Sequence, residues 1–123
     1  MKIPDESSSF YNEVIHLIDL NYNEPAIRLI KTKIDTLKRP DDIALAYLNC
    51  GFLNYKLGDF VSAIDDFSKS IYFESKLEII NQRSKDVAFS GRSNSRYKNG
   101  DFQGAIEDKR NARKMRLLEV DKL

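Results

Sequence analysis

The stretch YKLGDFVSAIDD at residues 55–66 is repeated as YKNGDFQGAIED at residues 97–108. Eight of the twelve positions are identical, and this density of matches within 123 residues indicates a duplicated structural unit. Each copy is typical of a corner between two helices. Gly58 can adopt the left-handed conformation that ends a helix, and Asp59 can cap the free N–H groups of the next one. The second copy has the same Gly-Asp pair, so the sequence predicts two helical hairpins offset by forty-two residues.

Apolar residues recur at helical spacing along the rest of the chain, and capping or breaking residues mark the helix ends. The serines at 7–9 can cap a first helix that ends near Asn21. Asn23 can cap a second helix, which Pro40 stops, and the aspartates after Pro40 can cap the third. The predicted helices span about 8–21, 24–38, 43–57, 60–73, 76–98 and 102–120.

The two helices of the middle hairpin differ in their polarity. The predicted helix 43–57 is apolar on nearly every side, so we expect it to be buried among several neighbours or to hold something apolar. The predicted helix 60–73 is amphipathic, and Asp65, Asp66 and Lys69 lie opposite its apolar side. We therefore expect these three charged residues to form a solvated face.

A spaced residue pattern runs through the two hairpins and extends to the N-terminal stretch. In the middle unit Tyr47, Cys50, Gly51 and Asn54 follow the spacing Trp-x2-Leu-Gly-x2-Tyr, and an Ala-x3-Phe pair follows at Ala63 and Phe67. The corresponding residues are Phe89, Arg92, Ser93, Arg96, Ala105 and Lys109 in the third unit, and Phe10, Leu17, Ala26 and Ile30 in the first. This sequence resembles the tetratricopeptide repeat.

The resemblance implies an all-α fold, a tetratricopeptide-like right-handed superhelix of three antiparallel helix pairs. The units span about 7–40, 44–77 and 86–119 within a single domain of residues 1–123. The spacing between the second and third units exceeds a bare 34-residue repeat by about eight residues. We therefore expect an extra helical segment at about 76–85, so that the fifth helix begins near Lys76. A short separate helix is the alternative.

The resemblance also implies that the first helix of each pair lines a concave surface that binds a peptide or a partner helix. The residues expected to contact the partner are Tyr11, Leu45, Leu48, Asn49, Phe52, Lys56, Asn94, Tyr97 and Lys98. Leu48 and Phe52 would be the apolar anchors. The alternative is that some of these residues only pack within the superhelix. Some relatives grip a C-terminal carboxylate with Lys, Asn and Arg side chains, but only Asn49 falls on such a position, which disfavours that activity.

The C-terminal third is basic, with eleven Lys or Arg against seven Asp or Glu from residue 78 onward. A basic surface is expected at Arg92, Arg96, Arg110, Arg113 and Lys114. It suits an acidic protein or nucleic acid, although interspersed acidic residues and a pI of 7.8 make nucleic acid unlikely. The last unit has no polar cap after it, so Leu117, Leu118, Val120 and Leu123 either cover that end or form a homodimer contact.

Composition argues against catalysis, a metal site or a cofactor. The chain has one histidine, His16, one cysteine, Cys50, and no Gly-rich phosphate loop. We expect Cys50 in the core of a protein from a reducing compartment. No apolar run approaches the ~20 residues of a membrane span, and the N-terminus lacks a signal-peptide core. The sequence therefore predicts a non-enzymatic, cytoplasmic adaptor or scaffold.

Overall fold

The computed structural model describes residues 8–78, 81–82 and 84–121, and for 8–11 and 119–121 it describes the backbone alone. Within these residues every regular element is a helix, which confirms the all-α prediction. The helices are α1 (Ser8–Asp19), α2 (Asn23–Ile34), α3 (Pro40–Leu57), α4 (Phe60–Glu74), α5 (Lys85–Lys98) and α6 (Phe102–Asp121).

The two repeated corners have the geometry that their sequence predicts. Gly58 and Gly100 are left-handed, with φ of 80° and 85°. The Asp59 and Asp101 carboxylates accept hydrogen bonds from the backbone N–H three residues later, at 3.1 and 3.0 Å. Glycine therefore ends α3 and closes the turn after α5, and aspartate caps α4 and α6.

Hydrogen bonds across each corner show that its two helices are antiparallel. Ser70 Oγ, late in α4, donates to the carbonyl of Ala44, early in α3, at 2.8 Å. In the last hairpin Ser93 Oγ of α5 donates to the carbonyl of Ala105 of α6 at 2.7 Å. Each described helix packs against the next one in the chain, so α4 also joins the middle hairpin to α5 of the last.

The core of the molecule divides into two clusters. The larger lies between α1, α2 and α3 and contains Val14, Ala26, Ile27, Ile30, Ile34, Leu37, Ala46, Cys50 and Leu53. The second joins α3, α4 and α5 and contains Leu48, Ala63, Phe67 and Ala88. Cys50 is fully buried, as predicted.

Phe67 is the largest fully buried side chain, and two glycines enclose its ring. A Cβ on Gly51 of α3 would lie 2.7 Å from the ring, and one on Gly91 of α5 would lie 2.4 Å from it. Both distances are shorter than any real contact between carbon atoms. The three helices can approach this closely only because both positions lack a side chain.

Several predicted helix ends in the N-terminal half were wrong. α1 ends at Asp19, because Asn21 has a left-handed φ of 64° and turns the chain. Asn23 is the first helical residue of α2 and is not its cap. α2 ends at Ile34, where backbone hydrogen bonds between residues three apart replace the α-helical bonds between residues four apart. Pro40 is the first residue of α3. The N–H that proline lacks would have no hydrogen-bond partner within the helix at this position, so its absence costs nothing.

The prediction that the fifth helix begins near Lys76 was also wrong. The backbone N–H groups of Lys76 and Leu77 bond back to α4, so these residues close that helix. α5 begins at Lys85, where the buried Glu74 carboxylate accepts a hydrogen bond from the Ser84 N–H at 2.9 Å. The alternative of a short separate helix falls partly on residues 79, 80 and 83, which lie outside the described residues.

Candidate binding surface

An open cavity of about 460 Å³ lies along α3. Most of its lining comes from one side of α3, because residues three and four apart on a helix share a face. One residue of α1 and one at the start of α5 complete it. The lining residues are Ile18, Leu45, Leu48, Asn49, Phe52, Leu53, Lys56 and Ser84.

Five of the residues predicted to contact a partner line this cavity, and they differ in exposure. Phe52 is 38 % exposed, and its ring packs edge-on against Phe67 at 5.0 Å between ring centres. Leu48 is only 6 % exposed, so it forms part of the floor and offers little surface of its own. Among the described lining residues Lys56 alone is charged. The cavity thus combines an apolar floor with one exposed cation.

The other predicted contact residues lie elsewhere. Asn94 and Tyr97 line a second cavity of about 380 Å³, which shares no residue with the first. Lys98 is exposed and lines neither cavity, and the Tyr11 side chain lies outside the described residues. The second cavity is lined by Ser93, Asn94, Tyr97, Phe102, Ala105, Ile106 and Lys109. The predicted surface is therefore divided between two places.

Asp66, which was predicted to lie on a solvated face, is completely buried. Its carboxylate accepts a hydrogen bond from Asn54 Nδ2 at 2.8 Å and pairs with Lys31 Nζ of α2 at 3.0 Å. Burial raises the pKa of Asp66, and these two partners offset part of that effect. Burial also opposes the charge of Lys31, but Asp66 outweighs it and raises the pKa of the ammonium group. The adjacent Asp65 is exposed, as predicted.

Asp108 is the counterpart of Asp66 in the second copy of the repeat, and it is 1 % exposed. Arg92 donates to it through Nη2 and Nε at 2.8 and 3.0 Å, and Arg96 donates through Nη1 at 2.9 Å. Arg92 also donates to Ser68 Oγ of α4 at 3.0 Å. The structure thus corrects the expectation that both arginines belong to a basic surface. Their guanidinium groups satisfy a buried carboxylate inside the fold.

The remaining basic residues of that prediction are Arg110, Arg113 and Lys114, and all three are exposed on α6. They lie on the same helix as Lys109, which lines the second cavity. Arg110 directly follows Lys109, whereas the exposed Glu107 adjoins the cavity residue Ile106.

Cys50 and His16 are the single cysteine and the single histidine of the chain. Burial raises the pKa of the Cys50 thiol to about 12, so the thiol is protonated at neutral pH. His16 is exposed on α1. No group of three or more His, Cys, Asp or Glu side chains within 12–78, 81–82 and 84–118 is arranged to hold a metal ion.

The chain matches no protein-family model, and no curated protein is similar to it at a significant level. None of the described helices has the length and apolar character needed to span a bilayer.

Proposed function

We propose that this protein is a non-enzymatic interaction module that binds a peptide or a partner helix in the cavity along α3. The observation that carries the proposal is the cavity itself, an apolar depression of about 460 Å³ with Lys56 at its edge. Such a floor offers buried apolar area to a partner, and the polar groups at the edge can fix its register.

The position of Phe52 supports a role as an anchor. Its ring is supported from below by Phe67, which two glycines hold in place, so the exposed part of the ring is preorganised for contact. A rigid aromatic group loses little conformational entropy when a partner binds. The ring therefore offers more binding free energy than a flexible side chain of similar area.

We further propose that the six helices form a tetratricopeptide-like right-handed superhelix. The order of packing supports this arrangement, because each helix contacts the next along the chain and α3 also contacts α5. In that arrangement α3 lies on the inner side of the array, where a partner would enter. An experimental structure in which the hairpins stack with the opposite hand would contradict this proposal.

The test is a quantitative pull-down from a soluble extract of the source cell, with the captured proteins measured by mass spectrometry. Phe52→Ala removes the apolar anchor, and Lys56→Glu reverses the charge of the one cation among the described lining residues. Both variants should lose the same protein, by roughly tenfold or more if each contact is worth at least about 1.4 kcal/mol.

Each variant has a matched control in the chain. Leu57→Ala removes an exposed apolar side chain from the same helix outside the cavity. Lys98 is the repeat equivalent of Lys56, but Lys98 lines neither cavity, so Lys98→Glu is the charge-reversal control. Thermal unfolding by circular dichroism checks that every variant is folded. If the controls lose the captured protein as completely as Phe52→Ala and Lys56→Glu do, the cavity is not the binding site.

Self-association is a second candidate function, and the exposure of two leucines at the end of α6 favours it. Leu117 and Leu118 are 59 % and 41 % exposed. Sedimentation equilibrium of the wild type and of Leu117→Glu separates this candidate from the first. A dimer that the substitution converts to a monomer would support it, and a monomeric wild type would eliminate it.

A further inference from the structure

The second cavity lies on a patch of large apolar side chains that are exposed to solvent. Tyr97, Phe102 and Ile106 are 62 %, 58 % and 51 % exposed, and all three line the cavity. The Tyr97 and Phe102 rings pack against each other at 5.3 Å, so the patch has a fixed shape. A patch of this kind on a small protein marks a contact site.

The internal repeat shows what covers the equivalent patch of the middle hairpin. Residues of α3 and α4 correspond to residues of α5 and α6 at an offset of forty-two, and the two corners share the same aromatic pair, Tyr55 with Phe60 and Tyr97 with Phe102. In the middle hairpin the face that contains Ala63 and Phe67 is covered by α5. The equivalent face of the last hairpin instead lines an open cavity. A helix is therefore the shape that fits this face.

Two substitutions between the repeats determine the charge of the helix that fits. Arg92 of α5 donates to Ser68 of α4, and the residue of α6 equivalent to Ser68 is Arg110. Gly91 of α5 contacts Phe67, and the residue equivalent to Phe67 is Lys109.

A helix with the sequence of α5 would thus place its Arg92 guanidinium group against that of Arg110, where like charges repel. A carboxylate at that position would form an ion pair instead. The loss of the Phe67 ring also removes the need for a glycine, because Lys109 is an exposed, flexible side chain.

We propose that the face formed by Tyr97, Phe102, Ile106, Lys109 and Arg110 binds an acidic amphipathic helix from a partner protein. The bound helix occupies the position on α6 that α5 occupies on α4. It presents carboxylates to Lys109 and Arg110, at the positions where α5 presents Gly91 to Phe67 and Arg92 to Ser68. This site is separate from the cavity along α3, so the two can be occupied together or alone.

The test uses two fluorescent, lactam-bridged helical peptides, because an unconstrained helix of this length is marginal in water. The first has the sequence of α5, Lys85–Lys98. The second carries Gly91→Glu and Arg92→Glu, which lower the side-chain charge from +3 to 0, and it is called the acidic peptide because it presents two carboxylates to α6. Their binding to the whole protein is measured by fluorescence anisotropy. We expect the acidic peptide to bind saturably and at least about tenfold more tightly than the unchanged peptide.

Variants of the protein distinguish a specific face from general attraction between opposite charges. Arg110→Glu should weaken binding of the acidic peptide about tenfold or more. It should strengthen binding of the unchanged peptide, whose Arg92 then meets a carboxylate. Lys114→Glu changes the net charge equally and is the control. It should have little effect, since the equivalent residue of α4, Tyr72, stays 58 % exposed even where α5 covers that helix.

The proposal is overturned if the two peptides bind equally or if neither binds. It is also overturned if Lys114→Glu weakens binding of the acidic peptide as much as Arg110→Glu does. If a short DNA duplex displaces the acidic peptide and binds more tightly, the face is a nucleic-acid site and the proposal is overturned. Finally, if the wild type dimerises and Ile106→Glu makes it monomeric, the occupant is a second copy of this chain and the proposal is overturned.

Discussion

Gly91→Ala should destabilise this protein, although the same substitution stabilises most helices. Gly91 lies within α5, where alanine is favoured over glycine by about 1 kcal/mol. The added Cβ, however, would lie 2.4 Å from the Phe67 ring. The ring cannot retreat, because it is fully buried and its other contacts include the backbone of Gly51. Steric overlap therefore decides the sign of the effect.

The expected loss follows from the balance of these two terms. Forcing extra volume into a packed core costs roughly 1–3 kcal/mol, and a ring that is blocked on its far side places this site near the upper end. After subtracting the helix-propensity gain of about 1 kcal/mol, the free energy of unfolding should fall by about 2 kcal/mol. With a urea m-value of about 2 kcal/mol/M, the midpoint should fall by about 1 M.

The assay is urea unfolding followed by far-UV circular dichroism, applied to a double-mutant cycle. Phe67→Leu shortens the blocked side chain, so Gly91→Ala should cost less in its presence, with a coupling of about 1–2 kcal/mol. Asn94→Ala on the exposed side of α5 is the control and should raise stability slightly, by roughly 0.5 kcal/mol. The reasoning is refuted if Gly91→Ala is as stable as the wild type, or if its effect is the same with and without Phe67→Leu.

Two further predictions concern the buried carboxylates. Asp108→Asn removes the charge that Arg92 and Arg96 share and should lower the free energy of unfolding by about 3 kcal/mol, because the partly buried Arg92 loses its carboxylate partner and Arg96 keeps only Asp101, at 3.6 Å. Glu107→Gln, next to Asp108, is the exposed control, and an equal loss there would contradict the assignment. Burial raises the pKa of Asp66 above the ordinary 3.8, so the folded state binds more protons than the unfolded state between 3.8 and the raised pKa, and stability should fall as pH rises through that interval. Asp66→Asn should remove this part of the pH dependence of unfolding, and an unchanged slope would show that other groups cause it.

The corners of the hairpins could be predicted from the sequence because their chemistry is local. Gly58 and Asp59 act through their own backbone and that of the next three residues, so a short motif contains all the information that the turn requires. The same holds for Gly100 and Asp101. The all-α class followed from these corners and from the helical spacing of apolar residues.

The burial of Asp66 and Asp108 could not be predicted from local pattern. An aspartate among charged neighbours on an amphipathic helix is typical of a solvated face, and the partner of Asp66, Lys31, lies far away in the chain. One signal was present: the final aspartate is among the eight identities of the repeat, whereas the residue before it is Asp65 in one copy and Glu107 in the other. Both of these variable residues are exposed.

The residues of the candidate site were predicted in part, because some of them lie on a single helix. The resemblance implied that one surface contains Leu45, Leu48, Asn49, Phe52 and Lys56. The structure groups them in one cavity because they lie on one helix at helical spacing. Asn94 and Tyr97 were expected on a shared surface with them, but they line the cavity that α6 completes. Which neighbour covers a helix face depends on tertiary packing, and the spacing of residues along one helix does not contain it.

The two buried aspartates obtain their counter-charges from different parts of the chain. Lys31, which pairs with Asp66, belongs to the hairpin before it, whereas Arg92 and Arg96 belong to the same hairpin as Asp108. Cutting the chain between α2 and α3 would strand a negative charge inside the middle hairpin. Cutting it between α4 and α5 would leave Asp108 with both of its arginine partners. Of the two hairpins that the repeated stretch forms, only the last contains the counter-charges of its own buried aspartate.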